Sequence, residues 1–167
     1  MPCDSHRSLS SASLYGAFGS KEGRFKQVVD HCRTGPGGAV DVIENTTLSP
    51  REAAAGLLHG SIDTQADSSR PTGCLIALSG TMRAPGEERV GVRASVAERR
   101  GADRVRIKAC VERVLAAGGL DTDADVDGVT TMIHSFLLGL STQPRDGVPA
   151  ATLHTAADVP LLNWRRG

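Results

Sequence analysis

Aromatic residues make up only 3% of this 167-residue chain, and that scarcity narrows the fold before any motif is considered. Ala, Leu and Val must fill the core that a 40% apolar content allows, which favours helix bundles over sandwiches. No apolar run reaches the ~18–20 residues of a membrane span, and no signal-peptide core opens the chain. The expectation is a cytoplasmic protein with no membrane partner. Net charge is also absent, at a formal +0, so no global field draws a polyanion. The four cysteines, Cys3, Cys32, Cys74 and Cys110, show no C-x-x-C spacing, so free thiols are expected rather than a zinc site or a disulfide frame.

Catalytic signatures are equally scarce. There is no phosphate loop, no oxyanion motif and no convergent His/carboxylate pair in the sequence pattern, so neither an enzyme nor a cofactor is expected. Asp121, Asp123, Asp125 and Asp127 alternate as in a calcium loop but lack its turn glycine and closing Glu, and they read as helix-capping residues. His31-Cys32 belongs to no catalytic signature. His134, next to Ile133 and two residues before Phe136, reads as packed or at a pocket edge. No metal site is expected.

What the sequence does contain is helical periodicity. Phe25, Val28, Val29 and Cys32 form one apolar stripe on a helix from Ser20 to about Cys32, which Thr34-Gly-Pro-Gly-Gly38 ends. Ser49-Pro-Arg-Glu52 is a start signal with N-cap, N1 proline and capping-box Glu, and places Ala54, Leu57, Leu58 and Ile62 inward. Residues 39–48 give no clear signal. Gly73 to Met82 is nearly all apolar and, with no second strand to pair with, reads as a buried helix.

The longest helix is expected from Glu87 to about Ala117, with Val92, Val96, Ile107, Cys110, Val111, Val114 and Leu115 on one side. Arg93, Arg99, Arg100, Arg104 and Arg113 form a solvated face, with Lys108–Glu112 and Arg99–Asp103 as i,i+4 pairs. Gly118-Gly119 stops that helix, and Thr122 or Asp123 caps the next, whose apolar positions run from Val126 to Leu140. A last helix is expected from Pro149 to Trp164, kinked or ended by Pro160. The last two helices read as an αα-hairpin whose apolar surface, carrying Val126, Val129, Phe136, Leu140 and Leu153, packs against a second copy.

The stretch from Leu9 to Phe25 carries the strongest functional signal. It reads as a short helix, a Gly19 turn and a second helix capped by Ser20, with small side chains, Tyr15 and Lys21 outward. Small residues let a helix approach base edges, and Tyr and Lys suit phosphates. The first 33 residues hold five basic against three acidic side chains.

Ser13-Leu-Tyr-Gly-Ala-Phe-Gly-Ser-Lys-Glu22, with Phe25 and Val28-Val29, resembles the DNA-binding domain of the TetR/AcrR family of bacterial transcriptional regulators. Gly73-Cys-Leu75, Ala97-Glu-Arg-Arg100, Leu138-Gly-Leu-Ser141 and Arg145-Asp-Gly147 resemble the effector-binding half of one subgroup. The resemblance implies an all-α fold: residues 1–33 as a partial helix-turn-helix with its linking helix, and 34–167 as an effector-binding and dimerisation domain. It implies that Ser11, Ala12 and Gly16 face bases, while Ser13, Tyr15 and Lys21 hold the phosphate backbone. A homodimeric repressor bound to operator DNA would be released by a small hydrophobic effector near Cys74, Leu78, Met82, Ile107, Val111, Ile133 and Leu137.

Only eight residues precede Leu9, fewer than the family's supporting helices need. The expectation is a truncated head that binds operator weakly or not at all, with a dimerising effector-binding remnant as the alternative. Gly23 inside the linking helix and Arg24 at an expected apolar position point the same way.

Overall fold

The computed structural model describes residues 36–69, 72–79, 88–162 and 164–165, together with the helical positions Gly23, Gln27, Val28 and His31. Among these residues the architecture is all-α. A 3₁₀ segment, Pro36–Glu44, is followed by α1 (Pro50–Ala66), α2 (Leu75–Ser79), α3 (Glu88–Ala116), α4 (Val126–Leu140) and α5 (Ala150–Asp158), and a 3₁₀ turn, Val159–Leu161, follows α5. The stretch that gave no sequence signal is thus mostly 3₁₀.

The α1 start forms as its residues dictate. Ser49 accepts from the Glu52 amide, and Glu52 accepts from the Ser49 amide at 2.8 Å, satisfying two orphan donors reciprocally. The α3 terminus depends on Gly118, whose φ of +74° an L side chain resists. That turn directs the Gly118 amide to the Leu115 carbonyl and the Gly119 amide to that of Val114.

The cap of α4 is a correction. Asp125 caps it, not Thr122 or Asp123, with Oδ1 accepting from the Gly128 amide at 3.0 Å. Residues 121–124 are used in a turn closed by the Ala124 amide and the Asp121 carbonyl, so Asp125 is the first residue with cap geometry. Pro160 ends α5 as expected, and the chain tightens to 3₁₀ from Val159.

The expected C-terminal hairpin is also corrected. α4 packs on α3, and α5 packs on α1, with little direct contact between the two. The connection from Ser141 to Pro149 is long enough to carry α5 across the bundle. The main core joins Ile43, Leu57, Leu58 and Ile62 to Ile107, Val111, Val114, Ile133, Leu140, Leu153, Leu161 and Trp164. Each such aliphatic side chain removed from water stabilises by roughly 1.5–3 kcal/mol. A smaller cluster of Ile76 and Val96, flanked by Cys74 and Leu75, seats α2 on α3.

The arginines of α3 depart from a solvated face. Arg93 is exposed, but Arg100 donates from Nε and Nη2 to the Ile76 carbonyl at 3.0 and 2.6 Å, and from Nη2 to that of Ala77 at 2.6 Å. Arg113 donates to the Ile43 carbonyl, Arg104 to Thr131 Oγ1, and Arg99 pairs with Asp103 as the spacing predicts. Lys108 reaches Asp127 on α4 at 3.0 Å rather than Glu112. Short elements beside α3 leave carbonyls that a guanidinium satisfies better than water can at a packed surface.

Candidate functional site

The residues expected at DNA, Ser11, Ala12, Ser13, Tyr15, Gly16 and Lys21, lie outside the described residues, as does Met82 of the expected effector pocket. The remaining pocket candidates divide between two places. Ile107 and Val111 from α3 and Ile133 from α4 meet at an apolar seam lined also by Ile43, Ala54, Leu57, Cys110 and Trp164. Leu137 packs against the same core. Cys74 lies instead beside the Ile76–Val96 cluster, and Leu78 is on α2. Among the described residues the candidates therefore divide between the seam and the α2 contact.

The seam leaves no room even for a water molecule. A ligand can enter only by parting α1, α3 and α4, because the lining residues already touch. Cys110 at its edge donates its thiol to the Pro50 carbonyl at 3.6 Å, and burial pushes that thiol up from its ordinary pKa despite Arg113 nearby. It is a packing group rather than a reactive one.

One polar cluster joins α3 to α4 outside the seam's lining. Asp103 on α3 pairs with Arg99 at 3.0 Å, both side chains 16% exposed, and burial raises the Asp103 carboxyl above its ordinary value against the opposing pull of Arg99 and Arg106. His134 on α4 lies within electrostatic reach of Asp103. Burial lowers its imidazole, Asp103 opposes that, and Arg104 and Arg100 add to it. Neither the imidazole nor the carboxyl is part of the seam's lining. No group of three or more His, Cys, Asp or Glu among the described residues could hold a metal ion.

The expected dimer residues also separate. Val126, Val129 and Phe136 are partly buried and pack beside the core, while Leu140 and Leu153 are each 1% exposed within it. A side chain so enclosed by its own chain offers no surface to a second copy, so these two are core residues. Met132, exposed and unflagged by the sequence, extends the α4 face between Val129 and Phe136.

Three motifs far apart in sequence come together. At Gly73, φ is +91°, and a Cβ there would lie 2.6 Å from the Ser141 carbonyl oxygen, 3.0 Å from Leu78 and 3.2 Å from Arg145. Gly73-Cys-Leu75, Leu138-Gly-Leu-Ser141 and Arg145-Asp-Gly147 thus form one junction between α2 and the end of α4. Sequence reasoning missed Ile43, Ala54, Leu57 and Trp164 as seam residues. The only signal for Trp164 was its being the single Trp, and Ile43 sat in the stretch without periodicity.

The structure is similar to CifR, described as a TetR family transcriptional regulator and solved as a cysteine mutant with 26-bp double-strand operator DNA. Identity is 32% and TM-score 0.82, covering 94% of this chain and 81% of that one. A second CifR cysteine mutant, also complexed with operator DNA, gives 30% identity, the same TM-score of 0.82 and the same coverage, 94% and 81%. A TetR-type regulator from Rhodococcus sp. RHA1, at 24% identity and TM-score 0.62 over 95% of this chain and 84% of that one, shares the fold. No protein-family model matches the sequence, and no curated protein matches it.

Proposed function

Because this chain belongs to the TetR family of transcriptional regulators, we propose that it is an operator-binding repressor released by a small hydrophobic effector. The observation that carries this reading is the likeness, over 94% of the chain, to a family member complexed with operator DNA. Residues 1–33 serve as the DNA-reading region, with Ser11, Ala12 and Gly16 toward bases and Ser13, Tyr15 and Lys21 toward phosphates. Residues 34–167 serve as the effector-binding and dimerisation domain. The protein acts as a homodimer in the bacterial cytoplasm and performs no catalysis. The α4 face of Val126, Val129, Met132 and Phe136 is the surface for the second copy.

The closed seam supports the coupling. An effector lodging against Ile107, Val111 and Ile133 must part α1 from α3 and α4. The 3₁₀ segment packed on α1 and α3 is the chain's route back to the helical positions Gly23, Gln27, Val28 and His31. Two recognition helices must sit about one DNA turn apart, ~34–36 Å, so a small tilt of the linking helix lowers affinity.

Selection of bound sequences from a random duplex library tests the reading. Enrichment of a two-fold symmetric site, bound by the wild-type chain and weakened uniformly across sequences by Lys21→Ala, is the expected result. No sequence-selective enrichment would overturn it.

A further inference from the structure

The contact between α1 and α5 contains a mirrored quartet. His59 and Asp63 stand one turn apart on α1, and His154 and Asp158 one turn apart on α5. Their pairing is crossed. His59 Nε2 lies 3.0 Å from Asp158 Oδ1, and His154 Nε2 lies 2.9 Å from Asp63 Oδ1. The remaining ring nitrogens face each other, Nδ1 to Nδ1, at 2.7 Å. Ring centroids are 5.0 Å apart and the planes differ by 13°. That separation is about the 2.7 Å bond plus the two ring radii, so the rings lie nose to nose in nearly one plane, not face over face.

This geometry fixes a proton count. An ionised carboxylate only accepts, so each Nε2 carries a hydrogen. Two Nδ1 atoms at bonding distance need one hydrogen between them. With none, two lone pairs oppose each other, and with two, two N–H groups do. The four ring nitrogens therefore hold three protons, one ring neutral and one cationic.

We propose that His59 and His154 form a one-proton clasp that docks α5 on α1 and opens when a second proton arrives. The charged groups hydrogen-bonded to the rings are Asp63 from α1 and Asp158 from α5, and both are largely exposed. Water screens those ion pairs, so they aim the rings while adding little energy. The Nδ1–Nδ1 bond is the part that registers the proton count. Each ring is about one-third exposed, so protons exchange with solvent without any opening of the fold.

A metal ion fits this arrangement poorly. Lone pairs opposed along one line leave no angle for the tetrahedral coordination that zinc prefers, and among the described residues no third protein ligand converges there. Acidification instead sets N–H against N–H and cation against cation. α5 then keeps its apolar contacts through Leu153 and Ala157, and the Arg51 bonds to the Leu161 and Trp164 carbonyls just beyond it. Trp164, three residues beyond the 3₁₀ turn that follows α5, forms one wall of the seam, and its carbonyl stays tied to α1 through Arg51 Nε at 3.2 Å, so the opening is confined to α5 itself.

The test uses the full 167-residue chain with ¹⁵N-labelled histidine and follows the ring nitrogens by NMR through the imidazole titration range. The expected result is both Nε2 sites protonated at neutral pH, with the two Nδ1 resonances averaged around one shared proton. Both Nδ1 sites then become protonated together in acid as amide protection in α5 falls. A double-mutant cycle of His59→Ala and His154→Ala is the second reading. Its coupling should amount to about 2–4 °C in Tm at neutral pH and vanish in acid. Two rings titrating independently, or no coupling at any pH, would overturn the proposal. So would a wild-type Tm that rises with Zn²⁺ and falls with chelator while His154→Ala ignores both, which replaces the proton by a metal.

Discussion

Replacing Arg100 by Met removes the guanidinium that holds α2 while keeping most of the stem's volume. α2 has five residues, far below the ~12–15 at which a helix is even marginal alone, so tertiary contacts maintain it. Those contacts are the Ile76–Val96 patch and the Arg100 bonds to the Ile76 and Ala77 carbonyls. Hydrogen bonds involving a charged group each stabilise by ~1.5–3 kcal/mol. Allowing for partial exposure and for water replacing one acceptor's partner, the loss at α2 is about 2–3 kcal/mol. Through the Boltzmann relation this raises the local opening constant by about 30–150-fold. Hydrogen exchange read by mass spectrometry over residues 75–79 checks this, because α2 opens by itself before the bundle does. Arg100→Lys should recover only part of the protection, since an ammonium is a point donor where the guanidinium spans two carbonyls. Unchanged exchange in Arg100→Met, or acceleration spread evenly over α1 and α4, would refute the assignment of Arg100 as the anchor of α2.

Ile133→Ala should cost about 2–4 kcal/mol and open the closed seam, so that a small apolar compound restores more Tm to the variant than to the wild type; a thermal-shift screen compares the two. Burial lowers the His134 pKa, so the folded state binds its proton less readily than the unfolded chain. Its contribution is therefore complete above the ordinary imidazole value of 6.5 and declines as pH falls through the lowered folded value. Urea unfolding of His134→Asn from pH 7 to 5 should show a flatter acid slope than wild type. Gly73→Ala meets both a left-handed φ and the Ser141 carbonyl, and an expected loss of at least ~1–3 kcal/mol would appear as a lower urea midpoint at unchanged slope. Asp125→Ala removes the α4 cap and should cost about 1 kcal/mol, seen as faster exchange in the first turn of α4.

Local rules carried the sequence reading furthest where they act within one turn. The capping box at Ser49, the Gly118 stop, the Pro160 break and the inward positions Leu57, Leu58, Ile62, Ile107 and Val111 all follow from nearest-neighbour chemistry. Periodicity alone did not say which helix faces which. Leu140 and Leu153 looked available to a second copy because an apolar stripe reads the same whether α5 covers α4 or crosses to α1. The arginines of α3 looked solvated for a related reason, since their acceptors belong to elements up to 70 residues away. The His59–His154 contact, 95 residues apart, left no trace in either helix's own pattern. Family resemblance supplied the fold and the DNA-facing assignments. The seam's Ile43 and Trp164 had to come from packing.

Effector and operator binding to a ligand-released repressor must be linked reciprocally. With a duplex from the library selection and a hydrophobic compound that raises Tm, fluorescence anisotropy gives the DNA Kd with and without compound, and calorimetry gives the compound Kd with and without DNA. The compound is expected to weaken DNA binding by about 5–150-fold, and DNA to weaken compound binding by the same factor. A compound seated against Ile107, Val111 and Ile133 that leaves DNA affinity unchanged would contradict that linkage.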